Sequence, residues 1–339
     1  MGSSDVYLVV DIGTSSIRTT LYSIEEGFID QMKQENHISD RVDINRIWIE
    51  LKEMMSQLVR RNPAYNVRCI CISSFLGWVA VDNQGQPVTQ AWTWMDKQVN
   101  MFEQYKEHIS SAQFQVTGRR LTSEIAALKW IALKTEHPEI YKRVETLTTM
   151  KDFFNFKLTG VHLMDMTHAG YTGLFSVYDM SWDNKLLESF GIDVRLLPNL
   201  GEGTDIVGEV MPSISTEMRL SKDTRVVLGG PDGSMAVVGG GGIRKGSSIN
   251  VTGTTDVLFS VHEGSSKEQS FTEPDYSLIH NRHLLPNLWL SGGPMGMTGG
   301  TVNWFLTQWT DRHEQADGEV NLYQRFETLA EKVNPGAQG

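Results

Sequence analysis

Two carboxylates in this chain stand beside turns built from glycine and hydroxyl residues, the arrangement best suited to chemistry. Asp11 follows the apolar run Val6–Val10 and opens the segment Asp11–Ile12–Gly13–Thr14–Ser15–Ser16. Asp232 follows Gly229–Gly230–Pro231 in a glycine-rich stretch, 228–256, whose last turn is Gly253–Thr254–Thr255. Glycine lets a backbone approach a ligand closely and take positive φ without a Cβ clash. Backbone N–H groups at such turns form anion-binding nests, and hydroxyls add donors. Asp11 is suited to a hydrated Mg²⁺, which keeps several waters and binds through one or two carboxylates plus phosphates. Together these features suggest a place where a phosphate is held and a proton removed. A glycine-rich linker between domains is the competing reading of 228–256.

Other common chemistries lack their signatures. The sequence holds no G-x-x-x-x-G-K-[ST] phosphate loop, no G-x-G-x-x-G after a strand, no G-x-S-x-G elbow and no H-E-x-x-H. The histidines are scattered without metal-ligand spacing, and His168 reads as structural or surface. Cys69 and Cys71 lie two apart on one strand-like run, so they share a face and read as packing rather than as a disulfide or zinc framework.

At 339 residues the chain exceeds what one core usually organises, so two domains are expected. Its 40% hydrophobic and 21% charged content is that of an ordinary globular protein. No apolar run approaches the roughly 18 residues of a membrane span, and no secretory leader precedes Val6, so a reducing cytoplasm is expected. The net charge of −11, with no basic patch, argues against nucleic acid and against an anionic membrane surface.

The elements that must position the two acids alternate between strand and helix, which predicts an α/β fold. Strand-like runs cover Val6–Val10 and Ile17–Tyr22, making a hairpin around the Asp11–Ser16 turn. Asp43 is placed to cap a helix running to Arg61, with Ile44, Ile47, Trp48, Leu51, Met54, Met55 and Leu58 at helical spacing. Further strands are expected at Val67–Ser73, Leu147–Met150 and Arg225–Leu228. Helices are expected from Ser123 to Glu136 and from Lys151 to Leu158, the latter stopping at Gly160. A second hairpin is expected over 248–261, around Gly253–Thr255.

Five segments, in order, give the chain a resemblance to a known family. They are DIGTSSIR (11–18), WMDKQ (94–98), MKDFFNFKLTG (150–160) with MDMTHAGYTGLF (164–175), GGPDGSMAVVGGGGIRKG (229–246) with NVTGTTDVLFS (250–260), and GGPMGMTGGTVNWF (292–305). The chain resembles the N-terminal two thirds of a carbohydrate kinase of the FGGY family, within the actin-like ATPase superfamily. The resemblance implies two actin-like (ribonuclease H-like) domains with mixed sheets flanked by helices: 1–228, binding sugar and phosphate, and an incomplete 229–339. It implies transfer of the γ-phosphate of ATP, with Mg²⁺, to a hydroxyl of a small sugar or polyol, a pentulose such as xylulose being favoured.

The resemblance also implies roles for particular residues. Asp232 would be the general base, although as a residue of Pro-Asp-Gly its spacing alone favours a simple turn. Thr14 and Thr254 would contact the nucleotide phosphates, Gly13 and Gly253 would let the turns approach, and Asp11 would hold Mg²⁺ through water. Gly299 and Asn303 match positions near the nucleotide, Asn303 otherwise merely facing solvent, and Arg18 would steady the first loop or its acids, or else stand as a surface strand arginine. Trp94 and Asp96 are expected to meet the sugar, or else to serve as core and hinge.

The sequence departs from the family at its sugar contacts. The xylulose-type Gly-Gln-Met-His-Gly segment reads Ser73–Ser74–Phe75–Leu76–Gly77, and Trp-x-Asp-x-Arg ends in Gln98 instead of Arg. No match to the family's adenosine turn occurs before Gly339. These departures motivate a second expectation, a catalytically impaired sugar- or nucleotide-sensing protein derived from a kinase. A homodimer stays open.

Overall fold

The computed structural model describes residues 4–106, 111–252, 256–264, 278–296, 298–313, 322–334 and 336. These residues pack as two units, Met1–Ile249 with Phe259–Gly292, and Asn250–Leu258 with Gly293–Gly339.

The first unit is organised by a six-stranded mixed sheet. Its order is Ile206–Glu209, Arg225–Pro231, Tyr65–Ser74, Ser4–Ile12, Ser16–Ser23, Gly27–Glu35. The three central members, Arg225–Pro231, Tyr65–Ser74 and Ser4–Ile12, run parallel. The hairpin Ser4–Ile12 to Ser16–Ser23 and the pairings at both edges are antiparallel. Strand formation follows from period-2 patterning: Val6, Leu8, Val10 and Ile12 all lie fully buried on one face of the first strand. On Tyr65–Ser74, Ile70 and Ile72 are buried, while Cys69 and Cys71 are free thiols, half-buried on the opposite face.

Two helices complete this core. Ile44–Arg61 begins as its sequence predicts: the Asp43 carboxylate accepts from the amides of Asn45 and Arg46, and the 3.6-residue stripe from Ile44 to Leu58 is buried. Met150–Thr159 is capped by the Thr149 hydroxyl, which accepts from the Asp152 amide, and stops at left-handed Gly160. Its Phe153, Phe154 and Leu158 join the same apolar cluster.

A second, four-stranded sheet orders Arg41–Val42, Ala91–Thr93, Gly77–Val81 and Thr146–Thr149. Trp78, Trp92 and Trp130 fill the core beside it, with the Trp78 and Trp130 rings edge-to-face at 5.9 Å. The helix here spans Ala126–Glu136, starting three residues later than its sequence suggests, and Pro138 opens the next short helix.

The glycine-rich stretch is not a linker. The strand from Arg225 continues to Pro231, and a helix, Asp232–Gly239, starts on the next residue. The sequence reading of a Pro-Asp-Gly turn fails here because Pro231 is the N-cap and the acid is already inside the first turn. The two glycines of the helix, Gly233 and Gly239, hid its propensity.

The second unit contains the helix Thr298–His313, which carries Gly299 and an exposed Asn303, and the helix Leu322–Ala330. The strands Ser248–Thr252 and Asp256–Glu263 match the expected second hairpin, but its turn, with Gly253 and Thr254, lies outside the described residues. No helix among the described residues is long and apolar enough to cross a membrane.

Candidate active site

The two acids meet at the carboxyl ends of the parallel strands. Asp11 is in register with Ser73, and Ser73 with Gly230. Asp11 and the residues leading to Asp232 therefore flank one central strand, about 10 Å apart at two strand spacings. In open α/β sheets, ligands bind outside this end.

Asp232 reaches solvent, yet its proton affinity is altered. The protein packed around it raises its pKa above the usual carboxylate range, and the Asp11 charge adds to the rise. The Gly233 amide, which donates to its Oδ1 at 2.6 Å, and the charge of His168 oppose the shift. Asp11 is itself held by Arg18, whose Nη1 donates to Asp11 Oδ2 at 2.9 Å across the hairpin. The Arg18 expected to steady the first acid therefore does so.

The turn after Asp11 is braced from below. The Gly13 amide donates to Ser16 O at 2.9 Å, so that N–H is spent inside the turn. The buried Asn36 donates through its side chain to Gly13 O at 3.0 Å and through its backbone to Ser15 O at 2.9 Å. The Thr14 hydroxyl has no hydrogen-bond partner among the described residues and remains a donor.

Asp232 is aimed by a backbone distortion two strands in. Pairing shifts register between Val227 and Gly230, where Gly229 takes φ +71°. A Cβ at Gly229 would stand 2.2 Å from Ile72 O, so only glycine fits.

Beneath this end lies a buried charged network that the sequence did not announce. Lys151, Asp152, Asp165 and His168 are all fully buried. Lys151 Nζ donates to Leu228 O at 2.6 Å, bonds Asp152, and lies 3.2 Å from Asp165 Oδ2. His168 Nδ1 is 2.7 Å from Asp165 Oδ2, and its Nε2 has no hydrogen-bond partner. Burial by itself would raise the pKa of Asp165, but His168 and Lys151 overcome it and hold the carboxyl well below the usual range. Burial leaves Asp152 raised, despite Lys151.

A recess of about 40 Å³, open to solvent, lies beside Trp78, whose ring meets that of His168 edge-on at 6.3 Å. Leu76, Trp78, Trp94, Arg119, Thr122, Glu124, Ile125 and Tyr171 line it. Burial raises the pKa of Tyr171, and the charge of Asp232 adds to the rise, which puts the recess within electrostatic reach of the acid. Trp94, 46% exposed, presents its indole to this space. Asp96 does not line it. That carboxylate is buried, with Arg41 Nε donating to Oδ2 at 2.6 Å, Gln98 donating to Oδ1 and Lys129 Nζ 3.8 Å away. Arg119 and Tyr171 were missed from sequence. Tyr171 lies within the 164–175 segment and Arg119 in an Arg119–Arg120 pair, but nothing in their spacing indicates a recess wall.

A single carboxylate fits the way Mg²⁺ arrives with a nucleotide: Asp11 Oδ2 is taken by Arg18, and no hydrogen bond to Oδ1 is made by the described residues. No group of three or more His, Cys, Asp or Glu suited to a metal is found among the described residues.

Sequence and fold comparisons place the chain in a family. The FGGY family of carbohydrate kinases, N-terminal domain, matches residues 6–239. The chain belongs to the FGGY family. It is 23% identical over 346 residues to the gluconokinase of Bacillus licheniformis, covering 98% of this chain and 66% of that one. It is 25% identical over 359 residues to the autoinducer-2 kinase of Escherichia coli K12, covering 100% and 66%. Among solved structures it matches the xylulose kinase of Rhodospirillum rubrum with a TM-score of 0.88 at 19% identity, covering 98% and 68%. The chain thus spans about two thirds of the curated relatives it matches. Its α/β architecture, with mixed sheets flanked by helices, is that of the family's actin-like fold.

Proposed function

We propose that the chain transfers the γ-phosphate of ATP to a hydroxyl of a small sugar or polyol, with Asp232 as the general base. The observation that carries this reading is Asp232 itself. It stands at the carboxyl end of a parallel strand, with its proton affinity raised and a recess for a small molecule within its electrostatic reach. Asp232 takes the proton of the attacking hydroxyl as that oxygen bonds to the γ-phosphorus. The bond from phosphorus to the β–γ bridging oxygen breaks, and ADP leaves. Such transfer demands mainly positioning and charge neutralisation from the protein.

Asp11 would hold Mg²⁺ through water, and the metal would supply neutralisation of charge on the phosphates. The free Thr14 hydroxyl supports a phosphate contact at the first turn, and the brace from Asn36 supports a turn that does not reorganise on binding. For Gly253, Thr254, Gly299 and Asn303, a nucleotide role rests on the resemblance. Trp94 would pack against the carbon face of the substrate. Asp96, already paired with Arg41, is better suited to fixing the segment that bears Trp94 than to binding a hydroxyl. The relatives named above are all kinases, and none of these observations favours a sensor.

The test is ADP release with a panel of pentuloses, pentitols, glycerol and gluconate, for the chain and for Asp232→Asn. Sugar-dependent release that is lost in the variant supports the reading. Release that persists at an unchanged rate in Asp232→Asn removes Asp232 as the base.

A further inference from the structure

Arg119 is a cation in the wall of the recess with no carboxylate within 4.0 Å among the described residues. Its guanidinium lies 4.4 Å from the centroid of the Tyr171 ring. Nη1 donates weakly to Gly170 O at 3.4 Å, and the buried Nε has no hydrogen-bond partner. Glu124 lines the same recess and its charge acts on Arg119, but its carboxylate is engaged by Lys97 Nζ at 3.7 Å.

The position of Arg119 is built, not incidental. Gly118 takes φ +68°, and a Cβ there would stand 2.3 Å from His280 O. The His280 amide donates to Gly118 O at 2.7 Å, and the Thr117 hydroxyl donates to Arg119 O at 3.0 Å. The backbone carrying the arginine is thus clamped before any substrate arrives. Tyr171, on which the guanidinium stacks, also feels the charge of Asp232.

A half-buried cation with a buried, unused donor gains little from a neutral ligand and much from an anion. The planar fork of arginine matches the two oxygens of a carboxylate, and the apolar walls at Leu76 and Ile125 limit screening. We propose that the recess selects a sugar acid, a carboxylated polyol, with its carboxylate on Arg119 and its reacting hydroxyl toward Asp232. This rests on the sugar-kinase reading but departs from the pentulose expectation, since a pentulose brings no charge for Arg119 to meet.

The experiment is calorimetric titration of the 339-residue chain with D-gluconate and with D-glucitol, its neutral six-carbon counterpart, for wild type, Arg119→Gln and Arg119→Lys. Wild type is expected to bind the acid about tenfold or more tightly than the alcohol, as for one charge-assisted pair. Arg119→Gln should close that gap, and Arg119→Lys should keep part of it. Equal wild-type affinities, no binding of either compound, or an equal loss for both in Arg119→Gln would overturn the proposal. The wild-type comparison stands even if a variant fails to fold. ADP release separates the two readings: a binding gap without any sugar-dependent turnover sinks the kinase reading and leaves the recess assignment standing.

Discussion

The fully buried Nζ of Lys151 donates to the carbonyl oxygen of Leu228 at 2.6 Å, tying the helix Met150–Thr159 to the strand that delivers Asp232. The same ammonium neutralises Asp152 and Asp165, and burial alone would have driven its pKa down had those two charges not raised it. Removing one partner from such a set leaves uncompensated buried charge. Lys151→Met should therefore lower the unfolding free energy by about 3–5 kcal/mol. Urea denaturation measures this, and a loss below about 1 kcal/mol would mean that the network is not the anchor described.

Asp232→Asn should reduce turnover by about 10²–10⁴-fold, the usual contribution of a positioned base. The same change should leave stability at neutral pH unchanged or improved. The folded pKa of Asp232 is raised, so its contribution to stability is fully present below the unfolded pKa and is lost as pH rises through the folded value. The amide has no charge to desolvate, and its stability should not fall over that window. Thermal unfolding from acid to neutral pH compares the two. In wild type, turnover should fall as pH drops through the raised pKa of Asp232, because the protonated acid cannot accept the hydroxyl proton.

Asp11→Asn should shift the Mg²⁺ concentration needed for half-maximal turnover upward, while changing stability little. The Asp11–Arg18 pair has side chains 42% and 41% exposed, and exposed pairs contribute about 0–1 kcal/mol. A Mg²⁺ titration of ADP release checks the first part, and urea denaturation the second. An unchanged Mg²⁺ dependence would remove Asp11 from the metal.

Gly229→Ala should destabilise the chain by more than about 1–2 kcal/mol, the cost of left-handed backbone for a residue with a Cβ. The steric conflict with Ile72 O at 2.2 Å adds to that cost. Any remaining turnover should be impaired, because the strand shifts just before Asp232. A variant as stable as wild type would show that the bulge relaxes freely.

Much of the local structure was legible from residue order. Asp43 capped its helix and Gly160 ended another, because caps and breakers act within a few residues of themselves. The first hairpin was readable for the same reason. Five motifs in order were enough to indicate the family, since each is a contiguous segment. The helix at Asp232 was not legible, because glycine and proline read as a turn unless a strand and a packed neighbour hold them.

The sequence by itself determined which carboxylates stand beside glycines, Asp11 and Asp232, and that an α/β framework would present them. Only the tertiary structure decided which charges are spent and which are free. Asp96 is paired by Arg41, 55 positions away, and Lys151 finds Leu228, 77 positions away, whereas Arg119 has no carboxylate within 4.0 Å among the described residues and lines the recess. Spacing along a chain reports neighbours within a helix turn or across a hairpin. The partner of a buried charge is set by which strands lie side by side, and that depends on the whole core packing at once.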